Sequence, residues 1–176
     1  RQPLDSNYFW QGKKLEIEST RELRNELSKI LDSIYTKGPK VFNELINRNA
    51  LSSQGASARV KLLKAMLEAK SMENLGFAED LFPPEKSIFN ALFKNFDLHQ
   101  EAEGQFKFVF PKEDSEIFPV FRAIESFIEA SQEPVAYQEL KALMAAPPFG
   151  IKEGLMPLIF MAFYFARENN IALYED

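Results

Sequence analysis

The chain has 176 residues, of which 45% are hydrophobic and 27% are charged, a composition typical of a globular protein. It contains no cysteine, which excludes disulfide scaffolds, thiolate zinc sites and cysteine nucleophiles. The net charge of −5 is unevenly spread, because residues 1–98 carry 15 Lys/Arg and 13 Asp/Glu, a net +2, whereas residues 99–176 carry 6 and 13, a net −7.

The first predicted elements are a hairpin and a helix. Tyr8–Trp10 and Lys14–Ile17 are strand-like runs separated by a short turn, which predicts a small hairpin. A helix capped by Ser19 or Thr20 is expected to continue to about Tyr35. The apolar positions of this helix follow the spacing of one buried face: Leu23, Leu27, Ile30, Leu31 and Ile34.

Three more helices are predicted before residue 98. They span about Pro39 to Asn47, about 54–69, and a segment that begins at Pro84, since proline suits the first helical position. The side chains expected to face the core are Val41, Phe42, Leu45 and Ile46 in the first, Ala56, Leu62, Leu63, Met66 and Leu67 in the second, and Ile88, Phe89, Leu92, Phe93 and Phe96 in the third.

The polar segment His99–Gly104 predicts a domain boundary. Beyond it, Phe106–Phe110 alternates between apolar and other residues as a strand does. The remaining predicted elements are a helix over about 114–131, a bridge strand at Pro134-Val135, a helix at Tyr137–Met144, a helix over about 153–167 with Pro157 in its first turn, and a strand at Ile171–Tyr174.

The order helix, turn, helix, strand near the end of the chain is typical of a winged helix-turn-helix. We therefore predict a mainly α fold, with a helical, lid-like domain in residues 1–98 that includes the N-terminal hairpin. A winged-helix-like domain in residues 99–176 follows, with a small β-hairpin or short sheet and a truncated C-terminal hairpin. The chain does not begin with Met and stops at Ala172–Asp176, where a hairpin would turn, so we expect a fragment of a larger protein.

The last predicted helix contains the uncharged segment Leu155–Phe165, in the place of a recognition helix. A helix that enters DNA carries polar and basic side chains on one face, and this one does not. A helix that is hydrophobic nearly all round is normally buried on several sides, so we expect a central helix with one edge facing a partner domain. The residues predicted to dock this partner are Phe149, which is either a core plug or an exposed anchor, Phe160, Phe163 and Tyr164.

Arg59 falls inside the predicted apolar stripe of the helix over residues 54–69, three positions before Leu62. A charge on a buried face should be paired or should reach a ligand. One interpretation directs Arg59 at a bound anion, such as a nucleotide phosphate held by a neighbouring domain. The other is a structural ion pair, with Glu44 as the partner, or a side chain that extends to the edge of the core.

Four basic residues form a loose patch around the same helix. The patch is interpreted either as an ordinary solvated face or as a surface that contacts nucleic acid through its phosphates. Its members are Arg48, Lys61, Lys64 and Lys70.

No catalytic set and no metal-ligand set is visible in the sequence. It contains neither a Gly-rich phosphate loop nor an EF-hand pattern, and its one histidine, His99, is interpreted as a residue at a helix end beside Asp97. We therefore predict no catalytic residue, no metal site and no cofactor in the chain itself, and no enzyme activity of its own. The longest apolar run is about half of what a bilayer span needs and no signal peptide is visible, so a cytoplasmic protein is expected.

Eight short runs between residues 40 and 176 carry a resemblance: Asn43–Arg48, Leu51–Ser53, Ala58-Arg59, Met66-Leu67, Pro83–Glu85, Pro148–Gly150, Glu153-Gly154 and Ala172–Asp176. Together they resemble the region that follows the ATPase core in large bacterial P-loop ATPases of phage-defence and restriction-type gene clusters, BREX-like systems among them. The resemblance implies a helical lid-like domain, a winged-helix-like domain and a lid arginine, Arg59, that senses nucleotide. It also implies that ATP and Mg²⁺ are bound by the parent protein, since Walker motifs are absent from this chain.

The function predicted from these observations is a non-catalytic regulatory or interaction module of a larger P-loop ATPase. Its partners would be the remaining domains of a longer chain or other subunits of a complex. The alternative, which is not favoured, is a DNA-binding module that uses the basic first half.

Overall fold

The computed structural model describes residues 6–174, and the chain divides into two compact units, residues 1–36 and residues 37–176. Each unit is described by itself. The described part is mainly helical, with six helices, 47% of the residues in helix, and two antiparallel sheets of two strands each. The prediction of a mainly α protein with a small hairpin or sheet is therefore confirmed.

The described residues of the first unit, 6–36, form a hairpin and a helix, as predicted. Strands β1 (Tyr8–Trp10) and β2 (Lys13–Leu15) pair in an antiparallel register across a turn at Gln11-Gly12, where both residues have positive φ. Helix α1 spans Thr20–Ile34, and the Ser19 hydroxyl caps it by accepting a hydrogen bond from the Glu22 N–H at 3.3 Å. No residue of α1 is fully buried: Leu23, Ile30 and Ile34 of the predicted apolar stripe are half-buried, whereas Leu27 and Leu31 are exposed.

The second unit contains five helices and one hairpin among its described residues. Its elements are α2 (Ser53–Glu68), α3 (Pro84–Phe89), β3 (His99–Ala102), β4 (Gln105–Phe108), α4 (Phe118–Ala130), α5 (Tyr137–Ala145) and α6 (Met156–Ala166). A 3-10 turn occupies Glu73–Gly76, and a π-helical turn at Asn90–Lys94 continues α3.

Residues 39–47 do not form the predicted helix but an irregular segment with one turn at residues 44–46. Two asparagine side chains bond to the backbone in place of helical hydrogen bonds: the Asn43 Oδ1 accepts from the Leu45 N–H at 3.1 Å, and the Asn47 Nδ2 donates to the Val41 carbonyl at 3.0 Å. Val41 and Ile46 are nevertheless buried, so the core-facing prediction was right for these two side chains and the secondary structure was wrong.

The polar segment that predicted a domain boundary forms the β3–β4 hairpin. The turn lies at Glu103-Gly104, both with positive φ, and His99 pairs with Phe108 at the base. Leu98 and His99 are buried there. The predicted boundary after residue 98 thus falls inside the second unit, whose core is one continuous cluster from Val41 to Phe163.

A winged-helix arrangement is not confirmed. Within the described residues the strands of the second unit precede α4, and neither Pro134-Val135 nor Ile171–Tyr174 forms a strand. Helix α6 matches its predicted position, with Pro157 in the first turn, and most of its surface is covered. The buried residues of α6 are Met156, Leu158, Ile159, Ala162 and Phe163.

Candidate functional site

Arg59 lies beside the buried face of α2 and not on it. Leu62 and Met66 of the predicted stripe are buried, together with Gly55 and Ala58, whereas Leu67 is 62% exposed. The Arg59 side chain is half-buried. This placement removes the need for a fully buried charge and leaves the guanidinium at the rim of the core.

The environment of Arg59 consists of α5 and the loop before α6. The Arg59 Nη1 donates one long hydrogen bond, 3.4 Å, to the backbone carbonyl of Glu153. Among residues 6–174, no carboxylate forms a close ion pair with Arg59, and the predicted partner Glu44 instead bonds to Arg48 at 3.1 Å. The Glu153 carboxylate is itself engaged by the Lys141 Nζ at 2.6 Å.

Tyr137, at the start of α5, contributes a buried hydroxyl to the same place, and within the described residues this hydroxyl has no hydrogen-bond partner. Burial raises the pKa of Tyr137 to about 12, with a smaller raising effect from the negative charge of Glu153 and an opposing effect from Arg59. The pKa of Glu153 is lowered, chiefly by the hydrogen bond from Lys141 and to a lesser degree by Arg59. Arg59 and Lys141 therefore both contact Glu153, the first through its backbone carbonyl and the second through its carboxylate, and Tyr137 lies near enough for the charges of Arg59 and Glu153 to act on its pKa.

Each of the four residues of the predicted basic patch lies close to a carboxylate. Pairing of this kind removes much of the positive potential that phosphate neutralisation requires. The nitrogen-to-oxygen distances are 3.1 Å for Arg48–Glu44, 3.9 Å for Lys61–Glu85, 3.7 Å for Lys64–Glu68 and 2.5 Å for Lys70–Glu168.

Two of the four aromatic residues predicted to dock a partner are buried in the core of the chain itself. Phe163 is fully buried and Phe149 is 9% exposed, so the chain itself covers these two side chains, and Phe149 is the core plug of the two alternatives. Phe160 packs against Tyr137, with ring centroids 5.2 Å apart, and Tyr164 is half-buried beside Phe165.

Several other large apolar side chains of the second unit face solvent, among them two phenylalanines and a leucine. Phe42 is 87% exposed, Phe82 is 81% exposed and Leu81 is 61% exposed. We call these three residues the apolar ridge. Phe42 and Phe82 line one groove of about 610 Å³, whose other lining residues are Ser87, Asn90, Ala91 and Asn95.

A buried lysine holds the ridge in place. The Lys86 side chain is 8% exposed, and its Nζ donates to the carbonyls of Ala78, Glu79 and Leu81 at 2.6, 3.0 and 2.9 Å. The same ammonium lies 4.8 Å from the centroid of the Phe82 ring, a cation–π geometry. Charge-assisted hydrogen bonds are about twice as strong as neutral ones, so this loop is fixed with its apolar residues pointing outwards.

The position of Phe42 is fixed in a similar way, because the neighbouring Asn43 Nδ2 donates to the Ser87 hydroxyl at 3.0 Å. The sequence missed the ridge because Phe42 was assigned to the inner face of a helix that does not form. The Phe82-Pro83-Pro84 run was the available signal, since a large apolar residue before two prolines is placed in a connector.

The described residues contain no group of three or more His, Cys, Asp or Glu side chains placed to hold a metal ion. Over the same range, the helices are all too short or too polar to cross a bilayer. Comparison with known proteins gives no match to a family model, to a curated protein or to a solved structure.

Proposed function

We propose that this chain is a non-catalytic interaction module of a larger cytoplasmic protein, and that it docks to another domain or subunit through the apolar ridge of Phe42, Leu81 and Phe82. The parent protein, on the sequence resemblance, is a bacterial P-loop ATPase of a phage-defence system, and ATP and Mg²⁺ are bound outside this chain. The observation that carries the docking proposal is the exposure of two adjacent phenylalanine rings at the mouth of one groove.

The surrounding structure holds the loop of Leu81 and Phe82 in the conformation that exposes these side chains. Lys86 is buried in order to bind three carbonyls of the loop that presents Leu81 and Phe82, and a buried ammonium is unfavourable unless it is satisfied in this way. A chain selected only for stability has no reason to hold two large rings in water, since burying one contributes about 1.5–3 kcal/mol. Exposed apolar patches of this kind mark sites of protein interaction.

The ridge also has the composition of an interface centre. Aromatic residues are enriched among the few side chains that contribute most of a binding energy, and polar residues surround them. Here the amides of Asn90 and Asn95 and the hydroxyl of Ser87 line the groove between the rings. These groups offer hydrogen bonds at the rim of a docked segment.

The test is an assembly measurement with a matched surface control. Phe42→Asp combined with Phe82→Asp is expected to weaken association with the rest of the parent protein by about 100-fold or more, because two buried rings would be lost. Val60→Asp combined with Leu67→Asp, at two α2 positions that are each 62% exposed, should leave association unchanged. Both variants are purified, checked for native helix content by circular dichroism and titrated by biolayer interferometry.

Equal affinity of the ridge variant and the α2 control would refute docking through the ridge. The alternative of DNA binding receives less support, because the four cations of the basic patch each have a carboxylate within 4 Å. A steep loss of duplex DNA affinity with rising salt, abolished by Lys61→Glu with Lys64→Glu, would favour that alternative over ours.

A further inference from the structure

We propose that Arg59, Tyr137 and Lys141 form a binding site for a phosphoryl group, and that the Glu153 carboxylate, which pairs with Lys141, is a built-in competitor for that cation. The four residues come from α2, α5 and the loop before α6. The site does not include the apolar ridge, and the inference does not depend on docking there.

The Arg59 guanidinium has unused donor capacity. It carries five N–H donors in a planar fork, and the one hydrogen bond found among the described residues is the 3.4 Å contact to the Glu153 carbonyl. The fork matches two oxygens of a phosphate or carboxylate. The single long hydrogen bond, which lies in an exposed environment, leaves most of this fork open to an anion.

The Tyr137 hydroxyl supplies a second donor. It is shielded from solvent and finds no protein partner in residues 6–174, which is uncommon for a buried polar group. The phenol is protonated at neutral pH, and the raised pKa of about 12 keeps it so in more alkaline solution, so its O–H is available as a donor.

Lys141 supplies the third donor and a second positive charge. At present its ammonium is neutralised by the Glu153 carboxylate at 2.6 Å, and the Glu153 side chain is 52% exposed. If that carboxylate rotates into solvent, the site keeps two positive charges, one on Arg59 and one on Lys141. These two charges match the two negative charges of a phosphoryl dianion. This charge balance favours a phosphoryl group over a single carboxylate.

The Glu153 carboxylate can move while the backbone of residues 153 and 154 stays fixed by hydrogen bonds. The Glu153 N–H donates to the Asn49 Oδ1 at 3.3 Å, and the next residue, Gly154, donates to the Arg48 carbonyl at 2.9 Å. The Glu153 carbonyl that holds Arg59 therefore keeps its place when the exposed side chain swings out.

The test is a titration of the chain with inorganic phosphate at constant ionic strength, followed by ¹⁵N chemical shifts. We expect saturable shifts at residues 59, 137, 141 and 153. Glu153→Gln should bind phosphate about tenfold more tightly because the competing charge is gone, and Arg59→Lys should bind about tenfold more weakly because the fork is lost. Arg48→Gln, which removes an exposed cation paired with Glu44, is the matched control and should not change the affinity.

Two further arms separate the sources of the phosphoryl group and the role of the phenol. Mg·ATP that binds at least tenfold more tightly than phosphate would identify a nucleotide, whereas equal affinity would identify free phosphate.

Tyr137→Phe should lower phosphate affinity and raise the melting temperature, because a buried hydroxyl without a partner is removed. Three outcomes would overturn the proposal. They are tighter phosphate binding by the wild type than by Glu153→Gln, acetate binding as tight as phosphate binding, and no saturable shift at these residues. Phe42→Asp with Phe82→Asp should leave phosphate binding intact, so failure of the docking proposal is seen separately.

Discussion

His99 is enclosed by aromatic rings. Its ring centroid lies 5.8, 5.6 and 4.8 Å from those of Phe89, Phe106 and Phe108, and its Nε2 is 2.8 Å from the Lys70 carbonyl. The Nε2 is therefore the protonated nitrogen that donates, and the Nδ1 is buried without a partner among the described residues. Burial lowers the pKa of His99, against a smaller raising effect of the bond to Lys70, because a second proton would place an unpaired charge in the core.

The lowered pKa of His99 predicts a loss of stability in mild acid. The unfolded chain takes up the proton first, near its ordinary pKa of 6.5, so stability is full above that pH and falls as the pH drops from 6.5 towards the folded pKa. We expect a slope of up to about 1.4 kcal/mol per pH unit in urea unfolding between about pH 7 and 5. His99→Gln keeps a donor for Lys70 and does not titrate, so its profile should be flat in this window.

An equal slope in His99→Gln would assign the effect to other groups, and the test is clean because the chain has one histidine. The sequence placed His99 at a helix end beside Asp97, and this was wrong. The misplacement has a physical cause: Phe106 and Phe108 approach His99 through the β3–β4 hairpin, and the sequence reading treated that segment as a domain boundary instead.

At the scale of elements, three glycines allow backbone to approach backbone. A Cβ on Gly154 would lie 2.1 Å from the Ile46 carbonyl oxygen, and one on Gly55 would lie 2.5 Å from that of Leu45. Gly38 makes a similar approach to Phe149. These contacts hold the turns of residues 39–49 against α2 and the loop before α6.

Gly154→Ala is expected to destabilise the chain by about 3 kcal/mol, the upper part of the range for overpacking, because rigid backbone meets the new methyl group. Gly104→Ala provides the comparison, since a Cβ there meets open space and the cost, about 1 kcal/mol, comes from its φ of +82° alone. Urea titrations measure the free energy of unfolding of both variants, and the two losses of stability are compared. A Gly154→Ala penalty no larger than that of Gly104→Ala would show that the close approach is relaxed in solution.

The elements that periodicity predicted well are those with strong local signals. Helices α4, α5 and α6 lie close to their predicted ranges, and their ends differ from the prediction by a few residues. The failure at residues 39–47 has a different origin, since Val41, Phe42, Leu45 and Ile46 do fit a helical stripe. Side-chain bonds from Asn43 and Asn47 and the fit against glycines outweigh that stripe, and neither is visible in residue spacing.

The candidate sites were predictable only in part. Arg59 attracted attention as a charge among apolar residues, but its contact with the Glu153 carbonyl spans 94 positions of sequence, and Lys141 joins the site only through Glu153. The apolar ridge depends on Lys86, whose burial no composition rule suggests.

At the scale of the whole molecule, the core belongs to the second unit. The clustered core residues run from Val41 to Phe163, whereas α1 has no buried residue. We therefore expect a shortened chain of residues 37–176 to unfold in one cooperative transition, with a urea midpoint equal to that of the full chain. Differential scanning calorimetry provides a second measurement.

A markedly lower midpoint in the shortened chain would show that the first unit contributes to the stability of the second. The polar segment at residues 99–104 was a reasonable sequence signal for a boundary, because loops and hairpin tips share its composition. A domain boundary and a hairpin differ in whether the residues on either side of the polar segment are buried together. Leu98 and Phe108 are both buried, as expected for a hairpin.

The position of α6 has a consequence for synthesis on the ribosome. This helix packs on α2 and β4, yet it is the last element of its unit to be translated. Until it emerges, the nascent chain carries an incomplete core whose apolar side chains are open to other molecules, and domains of this size complete their folding as units. We therefore expect the second unit to fold late in its own translation and to need chaperone cover until Phe163 has left the exit tunnel.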